Sequence, residues 1–398
     1  MNYHIIIQDK FFECYVEDIY RLHEEKNNVI WVRGNKGESP FFQTTHEVQY
    51  IGKDPGHIKE LLKVLKKDDK LIISWYDLFI GRIVMASNVP CPIYVYLLGA
   101  DFYGEPEWWH MDWLYDKKTK KRFLKEYYYP IFIRKHRPSR MLKYIDDVKR
   151  YFALKKKIKQ DYEDKNKSLS YVDYIVLTEH SGPEVEFAKQ LYPACHAKHI
   201  PGVFDQNFDI AKQYATKAIP ANNQPIKILF GNSSDPTGNH IDAFDYIVKN
   251  LKCQYEVYSF LSYGEEKCRE WTIAYGKKVF GDKFHPVVDY MDKDSFVKFM
   301  SEMDVVMMFH NRQQAEGNIM TALVLGKPVF MKPANPQFDM LKRMGVKPVY
   351  DVHEMHTIDL REVIAVAQQN REDTIKRIGD EYSLENRLKH LEKIIKIV

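Results

Sequence analysis

Short apolar runs that recur between amphipathic stretches restrict the fold of this chain more than any other feature. Residues 3–8, 71–75, 93–98 and 174–178 each read as a strand, and residues 58–67, 78–85 and 184–191 have helical character. Over 58–67, Ile58, Leu61, Leu62 and Leu65 fall on one helical face. The rhythm restarts at 226–230, with further strands at 256–261 and 305–309 and helices from Gly238 or Asn239, over 266–279 and over 319–325. Gly326-Lys327-Pro328-Val329-Phe330 ends the last of these and returns the chain to a strand, and 359–369 offers another helix. Strands alternating with helices are the signature of an α/β protein.

At 398 residues the chain is long enough for two such domains. The polar stretch 204–225, with Pro220-Ala221-Asn222-Asn223, marks the boundary. The expected division is a first domain at 1–204, a second at 222–370, and a tail at 371–398 whose helix could return to the first domain. No unit of sequence repeats, so a solenoid is excluded. Cys14, Cys91, Cys195, Cys253 and Cys268 are widely spaced with no CxxC pair, which fits a reducing compartment. The first residues, MNYHIIIQDKFFECY, lack the pattern of a secretory signal, and no apolar stretch reaches about 18 residues, the length needed to span a bilayer.

The formal net charge of +4 conceals an asymmetry: residues 117–159 carry seventeen Lys and Arg against Glu126, Asp146 and Asp147, a local charge of +14. Phe123, Tyr127, Tyr128, Tyr129, Phe132 and Ile133 lie among these cations. Such a segment suits an anionic membrane surface or an acceptor diphosphate. A solvated charged helix is the bland alternative, and nucleic acid is disfavoured because charge comes without a recognition architecture.

Four polar constellations follow strands. Gly231-Asn232-Ser233-Ser234-Asp235 follows the 226–230 strand and could gather backbone N–H groups around a diphosphate, or serve as a turn and helix cap. His310-Asn311-Arg312-Gln313-Gln314 follows the 305–309 strand; Arg312 could pair with phosphate, Gln313, Gln314 or Glu316 could orient hydroxyls, Gly317 permits a close turn and Asn318 could cap the next helix. Asp101, in LLGADFYGEPEWWH, could be a general base, a ligand-orienting group or a turn anchor. Tyr103, Trp108 and Trp109 could line an acceptor channel or fill a core. Glu179-His180-Ser181-Gly182 could contribute a base or end its strand, and it lacks the setting of a hydrolase triad. Asp292-Lys293-Asp294 reads as a helix start, with Asp294 before the helix, in preference to a cation site. No compact His, Asp and Glu group points to a metal.

Three separated regions, LLGADFYG, ILFGNSSDPTGNHIDAF and FHNRQQAEGNIMTALVLGKPVF, together resemble bacterial glycosyltransferase family 56. The resemblance implies a GT-B architecture, two Rossmann-like domains facing across a cleft, with the nucleotide sugar held mainly by the second. It carries the family's glycine-asparagine-serine loop onto Gly231, Asn232 and Ser233, with Asp235 retained, and its arginine-glutamine-glutamine-glycine element onto Arg312, Gln313, Gln314 and Gly317. Asn318 stands where a small residue is expected, so donor-sugar selection can differ. The glycine-alanine-aspartate signal maps onto Gly99, Ala100 and Asp101.

The implied reaction is transfer of a sugar from a nucleotide-diphosphate donor to a polyprenyl-diphosphate-linked glycan. It needs no cofactor beyond the nucleotide-sugar substrate and would take place at the cytoplasmic face of the bacterial plasma membrane. Candidate catalytic residues are Asp101, Glu179 and His180. A non-catalytic module that binds polysaccharide or lipid-linked glycan is the alternative.

Overall fold

The computed structural model describes residues 1–40, 42–103, 112–127 and 141–396. The chain folds as two compact units: Met1–His110, Lys157–Asp205 and Asp380–Val398 form the first, and Met111–Lys156 with Gln206–Gly379 form the second.

The first unit is built on seven parallel strands: β1 (Asn2–Ile6), β2 (Asn28–Val32), β3 (Gln49–Tyr50), β4 (Lys70–Ser74), β5 (Ile93–Tyr96), β6 (Tyr174–Leu177) and β7 (Lys198–Pro201). Their order is β3-β2-β1-β4-β5-β6-β7. The second unit has six: β8 (Ile226–Phe230), β9 (Tyr255–Phe260), β10 (Phe284–Val287), β11 (Val305–Met308), β12 (Val329–Met331) and β13 (Val349–Asp351). They run β10-β9-β8-β11-β12-β13.

Helices cover both faces of a parallel sheet, so its central strands are apolar on both sides. All four residues of β11, Val305, Val306, Met307 and Met308, are 0% exposed. In each unit the first strand lies between the second and the fourth. The chain therefore winds away from β1, and again from β8, in two opposite directions. This leaves a crevice beyond the C-terminal ends of β1 and β4, and another beyond those of β8 and β11.

The expected strands at the sheet centres are present, and several others emerge that the sequence pattern does not announce. β3 is two residues long, and β7, with sequence KHIP, is only partly buried. The helix expected over 58–67 runs over Pro55–Leu62, because Asp54 accepts a hydrogen bond from His57 N and Pro55 fits the first turn. Asp292, not Asp294, caps the helix Lys293–Ser301, accepting from Ser295 N at 2.9 Å.

The basic segment does not extend the first domain as expected. Its helix Lys117–Tyr127 begins on the Asp242 carboxylate, which accepts from Lys118 N and Thr119 N at 2.9 and 2.7 Å, and the Arg122 guanidinium lies 5.4 Å from the Trp271 ring centre. These partners belong to the second unit. The segment continues into the helix Met141–Leu169, whose C-terminal part returns to the first unit. Tyr128, Tyr129, Phe132 and Ile133 lie outside the described residues, as do Trp108 and Trp109. Among the described residues no helix is long and apolar enough to cross a membrane.

The tail splits into helices Arg371–Tyr382 and Leu384–Lys396. Ile394 is packed with Ile6, Ile72, Tyr94 and Val176 in the first unit's core. Arg387 is the polar anchor: its Nε and Nη2 donate to Asp18 at 2.6 and 3.2 Å, and its Nη1 to Asp205 at 3.4 Å. Burial pushes the Asp18 carboxyl up, and Arg387 pulls it back toward ionisation. Removing the guanidinium strands a buried carboxylate, so Arg387→Ala should cost about 3–5 kcal/mol in urea unfolding. Asp18→Asn in that background should recover part of the loss; an Arg387→Ala protein as stable as wild type contradicts this account.

Candidate functional site

The crevice of the second unit receives the loops that leave β8 and β11. Gly231 makes the first turn at φ +67°, a left-handed conformation that glycine adopts without strain, and its N–H donates to Met307 O at 3.1 Å. The rest of the 231–235 loop is fastened to the loop after β9. Ser234 donates from both N and Oγ to Tyr263 O, at 2.7 and 2.8 Å, and Asn232 Nδ2 donates to the Tyr263 hydroxyl at 2.9 Å. Gly264 sits so close that a Cβ there would lie 2.9 Å from Asp235 N. Asp235 accepts from Thr237 N at 2.8 Å and shapes the turn into the helix His240–Asn250.

On the β11 side the chain passes through Ala315, at φ +65°, into the helix Glu316–Val324. No side chain caps that helix at Ala315. Gly317 and Asn318 lie in its first turn, where unsatisfied N–H groups and the helix dipole favour an anion. The two loops are joined directly: Gln314 Nε2 donates to Asn232 Oδ1 at 3.1 Å, and Thr237 Oγ1 donates to Gln314 Oε1 at 2.6 Å. Two motifs separated by about eighty residues thus meet in one polar network.

Arg312 is 5% exposed; its Nη1 donates to Gln313 O at 2.8 Å, while its Nε has no partner among the described residues. Gln313 donates from Nε2 to Glu316 at 2.8 Å and leaves Oε1 unpaired. The Gln206 Oε1 is likewise unpaired and would be 2.9 Å from a Cβ placed on Gly317. Buried polar atoms without partners are costly, so such a group of them calls for a ligand that supplies hydrogen bonds. Gln206, Thr237 and Tyr263 were not visible from sequence, since their roles rest on contacts across loops.

Asn311 takes a structural role, whereas both ring nitrogens of the buried His310 have no partner among the described residues. Burial holds the His310 imidazole neutral, well below its usual pKa, with Arg312, His240 and Lys332 adding to the effect. Asn311 Nδ2 donates to Trp113 O at 2.8 Å and to Asp116 at 3.2 Å, while Lys332, 4.0 Å from the Phe309 ring centre, pairs with Asp116 and donates to Asn311 Oδ1 at 2.9 Å.

Asp101, Glu179 and His180 lie in the first unit. The Asp101 side chain, expected as a candidate base, is turned into the fold: 1% exposed, it accepts from Tyr76 N at 2.9 Å and Leu98 N at 3.2 Å. Lys165 donates to the Asp101 carbonyl at 2.8 Å, and burial pushes the carboxyl pKa up. Among the described residues this geometry makes Asp101 a buried anchor for two loops. Glu179 and His180 form a short turn before the helix Gly182–Leu191, and both are held by Glu381, which accepts from Glu179 N and contacts His180 Nδ1 at 3.2 Å. Burial pushes the Glu381 carboxyl up.

Residues 180–379 match the family model described as 4-alpha-L-fucosyltransferase, glycosyl transferase group 56. The chain belongs to glycosyltransferase family 56. The match includes both loops of the second-unit crevice and the Glu179-His180 edge from His180 onward. No curated protein sequence matched.

Solved structures share the fold across nearly the whole chain. A sucrose-phosphate synthase from Thermosynechococcus elongatus superposes with a TM-score of 0.61 at 11% identity, covering 99% of this chain and 98% of that one. A UDP-forming α,α-trehalose-phosphate synthase from Burkholderia vietnamiensis gives 0.59 at 9% identity over 100% of both chains. A lipopolysaccharide outer core galactosyltransferase gives 0.53 at 10% identity over 99% of each.

The family 56 chain therefore has the GT-B type of architecture, with two parallel sheets each flanked by helices. It is a glycosyltransferase of the hexosyltransferase kind that draws on nucleoside-diphosphate sugars, which sets aside the non-catalytic module. Among the described residues no group of three or more His, Cys, Asp or Glu could hold a metal ion.

His240 supplies a test of how dry the floor of the crevice is. It packs against Phe230 and Phe244 with ring centres 5.2 and 6.1 Å apart, and burial lowers its pKa to about 4, Asp235 and the Ser233 backbone opposing the shift. The unfolded chain, with an ordinary histidine near 6.5, binds this proton first as pH falls. Stability is therefore intact above about 6.5 and declines by roughly 3 kcal/mol as pH falls toward 4. In NMR titration one imidazole resonance, absent from His240→Gln, should titrate near pH 4; a midpoint near 6.5 refutes the burial argument.

Proposed function

We propose that this family 56 enzyme transfers a sugar from a nucleoside-diphosphate donor, held at the C-terminal ends of β8 and β11, to a polyprenyl-diphosphate-linked glycan in bacterial surface polysaccharide synthesis. One observation carries the donor assignment. The Asn232–Gln314 bond joins two loops beside an uncapped helix N-terminus, where the buried Arg312 keeps an unpaired Nε.

Breaking the bond between the anomeric carbon and the donor phosphate leaves negative charge on the departing diphosphate. Arg312 and the first-turn N–H groups at Gly317 and Asn318 would meet that charge where it grows, and so favour the transition state over the bound donor. Gly231, Asn232, Ser233 and Asp235 hold the opposite loop in place, with Gln313 and Gln314 offering side-chain hydrogen bonds to donor hydroxyls. The anomeric carbon forms its new bond to an acceptor hydroxyl, whose proton is released. The orphaned Gln206 Oε1 beside Gly317 is a further acceptor for a sugar hydroxyl.

The resemblance to the family's enterobacterial common antigen transferase, which uses a TDP-linked acetamido-dideoxyhexose and a lipid-linked acceptor, supports a TDP- or UDP-linked amino-deoxyhexose as donor. In this reading the first unit takes the acceptor, with His180 and Glu179 at its edge as remaining candidates for the proton. The +14 segment at 117–159 supports residence at an anionic membrane surface. That attachment should fall steeply with salt: sedimentation with phosphatidylglycerol vesicles at low ionic strength should be largely lost at about 0.5 M salt, where screening is short-ranged. Salt-independent binding, or equal binding to neutral vesicles, contradicts it.

The decisive assay incubates a panel of nucleotide sugars with synthetic polyprenyl-diphosphate glycans and follows the mass of the lipid-linked product. Arg312→Ala should lower kcat/KM by about 10²–10³-fold while preserving the folded spectrum, in line with removal of one preorganised donor to a developing anion. Arg312→Lys should recover only part of it, since a single ammonium lacks the guanidinium fork. Full turnover by Arg312→Ala would remove Arg312 from the mechanism.

A further inference from the structure

The crevice of the first unit, beyond β1 and β4, holds a cavity of about 390 Å³ lined by residues that follow four of its strands. Gln8 follows β1, Arg33 follows β2, Glu38 and Lys53 flank β3, and Asp77 and Phe79 follow β4. Its topology matches that of the second-unit crevice, but its charged groups are arranged differently.

In the second unit the helices that leave the crevice, His240–Asn250 and Glu316–Val324, have no side-chain cap. In the first unit both are capped by aspartate. Asp9 accepts from Phe11 N at 3.1 Å at the start of Lys10–Arg21, and Asp77 accepts from Ile80 N at 2.9 Å at the start of Leu78–Met85. Carboxylates thus occupy the places where a phosphate would be drawn.

The cations of the cavity are matched as well. Arg33, 9% exposed, grips Asp77 with two parallel bonds of 2.9 and 2.7 Å, and Lys53 pairs with Glu38 at 2.6 Å. In a net neutral lining the Asp77 and Glu38 carboxylates offset the attraction of Arg33 and Lys53 for an anion, so an anion gains little there. The lining can hydrogen-bond vicinal hydroxyls, which donate to carboxylate oxygens and accept from the guanidinium and ammonium. Gln8 adds an amide, its Nε2 donating to Asn35 O at 2.9 Å. Phe79 supplies an apolar face, with the Arg33 guanidinium 5.7 Å from its ring centre, and the C–H face of a pyranose fits such a surface.

We propose that this cavity binds an uncharged pyranose, the sugar of the acceptor that receives the transferred group, through the Arg33–Asp77 and Lys53–Glu38 pairs and the Phe79 ring, and that it does not bind the acceptor's diphosphate. The assignment rests on the transferase reading given above, deepening its acceptor side.

Saturation-transfer NMR on the full chain, with a panel of neutral methyl pyranosides and with inorganic pyrophosphate as the anionic probe, tests it. At least one pyranoside should bind, and pyrophosphate should not displace it. Phe79→Ala should weaken that binding about tenfold or more. Glu38→Gln, which leaves Lys53 without its carboxylate, should weaken pyranoside binding and introduce pyrophosphate binding that competes with it. Nucleoside-diphosphate binding, measured by calorimetry on the same variants, should stay within twofold of wild type and also reports that they are folded.

Failure of every pyranoside to bind, displacement by pyrophosphate in the wild type, or pyranoside binding indifferent to both substitutions overturns the proposal. Pyranoside binding that responds to both substitutions in a protein that binds no nucleoside diphosphate supports the cavity assignment while removing the donor reading, so the two fail separately.

Discussion

A parallel sheet that is wound outward in two directions from its first strand has a place where adjacent loops must part. The loops 231–235 and 310–318 of the second unit meet there because β8 lies between β9 and β11. The strands are apolar on both faces and can carry no polar chemistry within the sheet. Polar groups collect where the strands end, and the reversal of winding keeps helices from covering them. The Asn232–Gln314 hydrogen bond then fixes the distance between the two loop walls.

What distinguishes the two units is how their helix N-termini are satisfied. An aspartate cap stabilises a helix by about 1 kcal/mol and uses up its local positive potential. The first unit spends two such caps, Asp9 and Asp77, at its crevice. The second instead begins its helices from left-handed Asn239 and Ala315, neither of which supplies a side-chain cap. The first crevice is suited to a neutral polyhydroxyl molecule and the second to an anion, from the same strand order.

The central strands were legible because a run such as 305–308, VVMM, has few other ways to be buried. The edge strands were not. Gln49-Tyr50 and KHIP gain their extended form from a neighbouring strand rather than from their own residues. The loop motifs at 231–235 and 310–318 could be read locally as helix entries after strands, but their union through Gln314 depends on a partner about eighty positions away.

Asp101 stayed open between general base, ligand-orienting group and turn anchor for the same reason, since only its partners tell these apart. Its actual partners are backbone amides at Leu98 and at Tyr76, the latter 25 residues earlier in the chain. The basic segment was assigned to the first domain by its position in the sequence, whereas Asp242 and Trp271 hold its first helix in the second unit.

Several of the buried polar atoms that the fold leaves unpaired belong to the second-unit loops. Arg312, Gln313 and Gln206 each have a buried nitrogen or oxygen without a partner among the described residues. An unmade hydrogen bond at a buried site costs about 1–3 kcal/mol, more beside a charge. A packed protein could remove that cost by replacing the groups with apolar ones, yet here they gather around one helix start and one glycine. Gln206 is far in sequence from the loops it faces, is 7% exposed, and leaves its side-chain oxygen unpaired beside Gly317. A side chain buried in place but unsatisfied suits a preorganised site, in which the conformational cost of orienting a group is met on folding and the hydrogen bond is completed only by ligand.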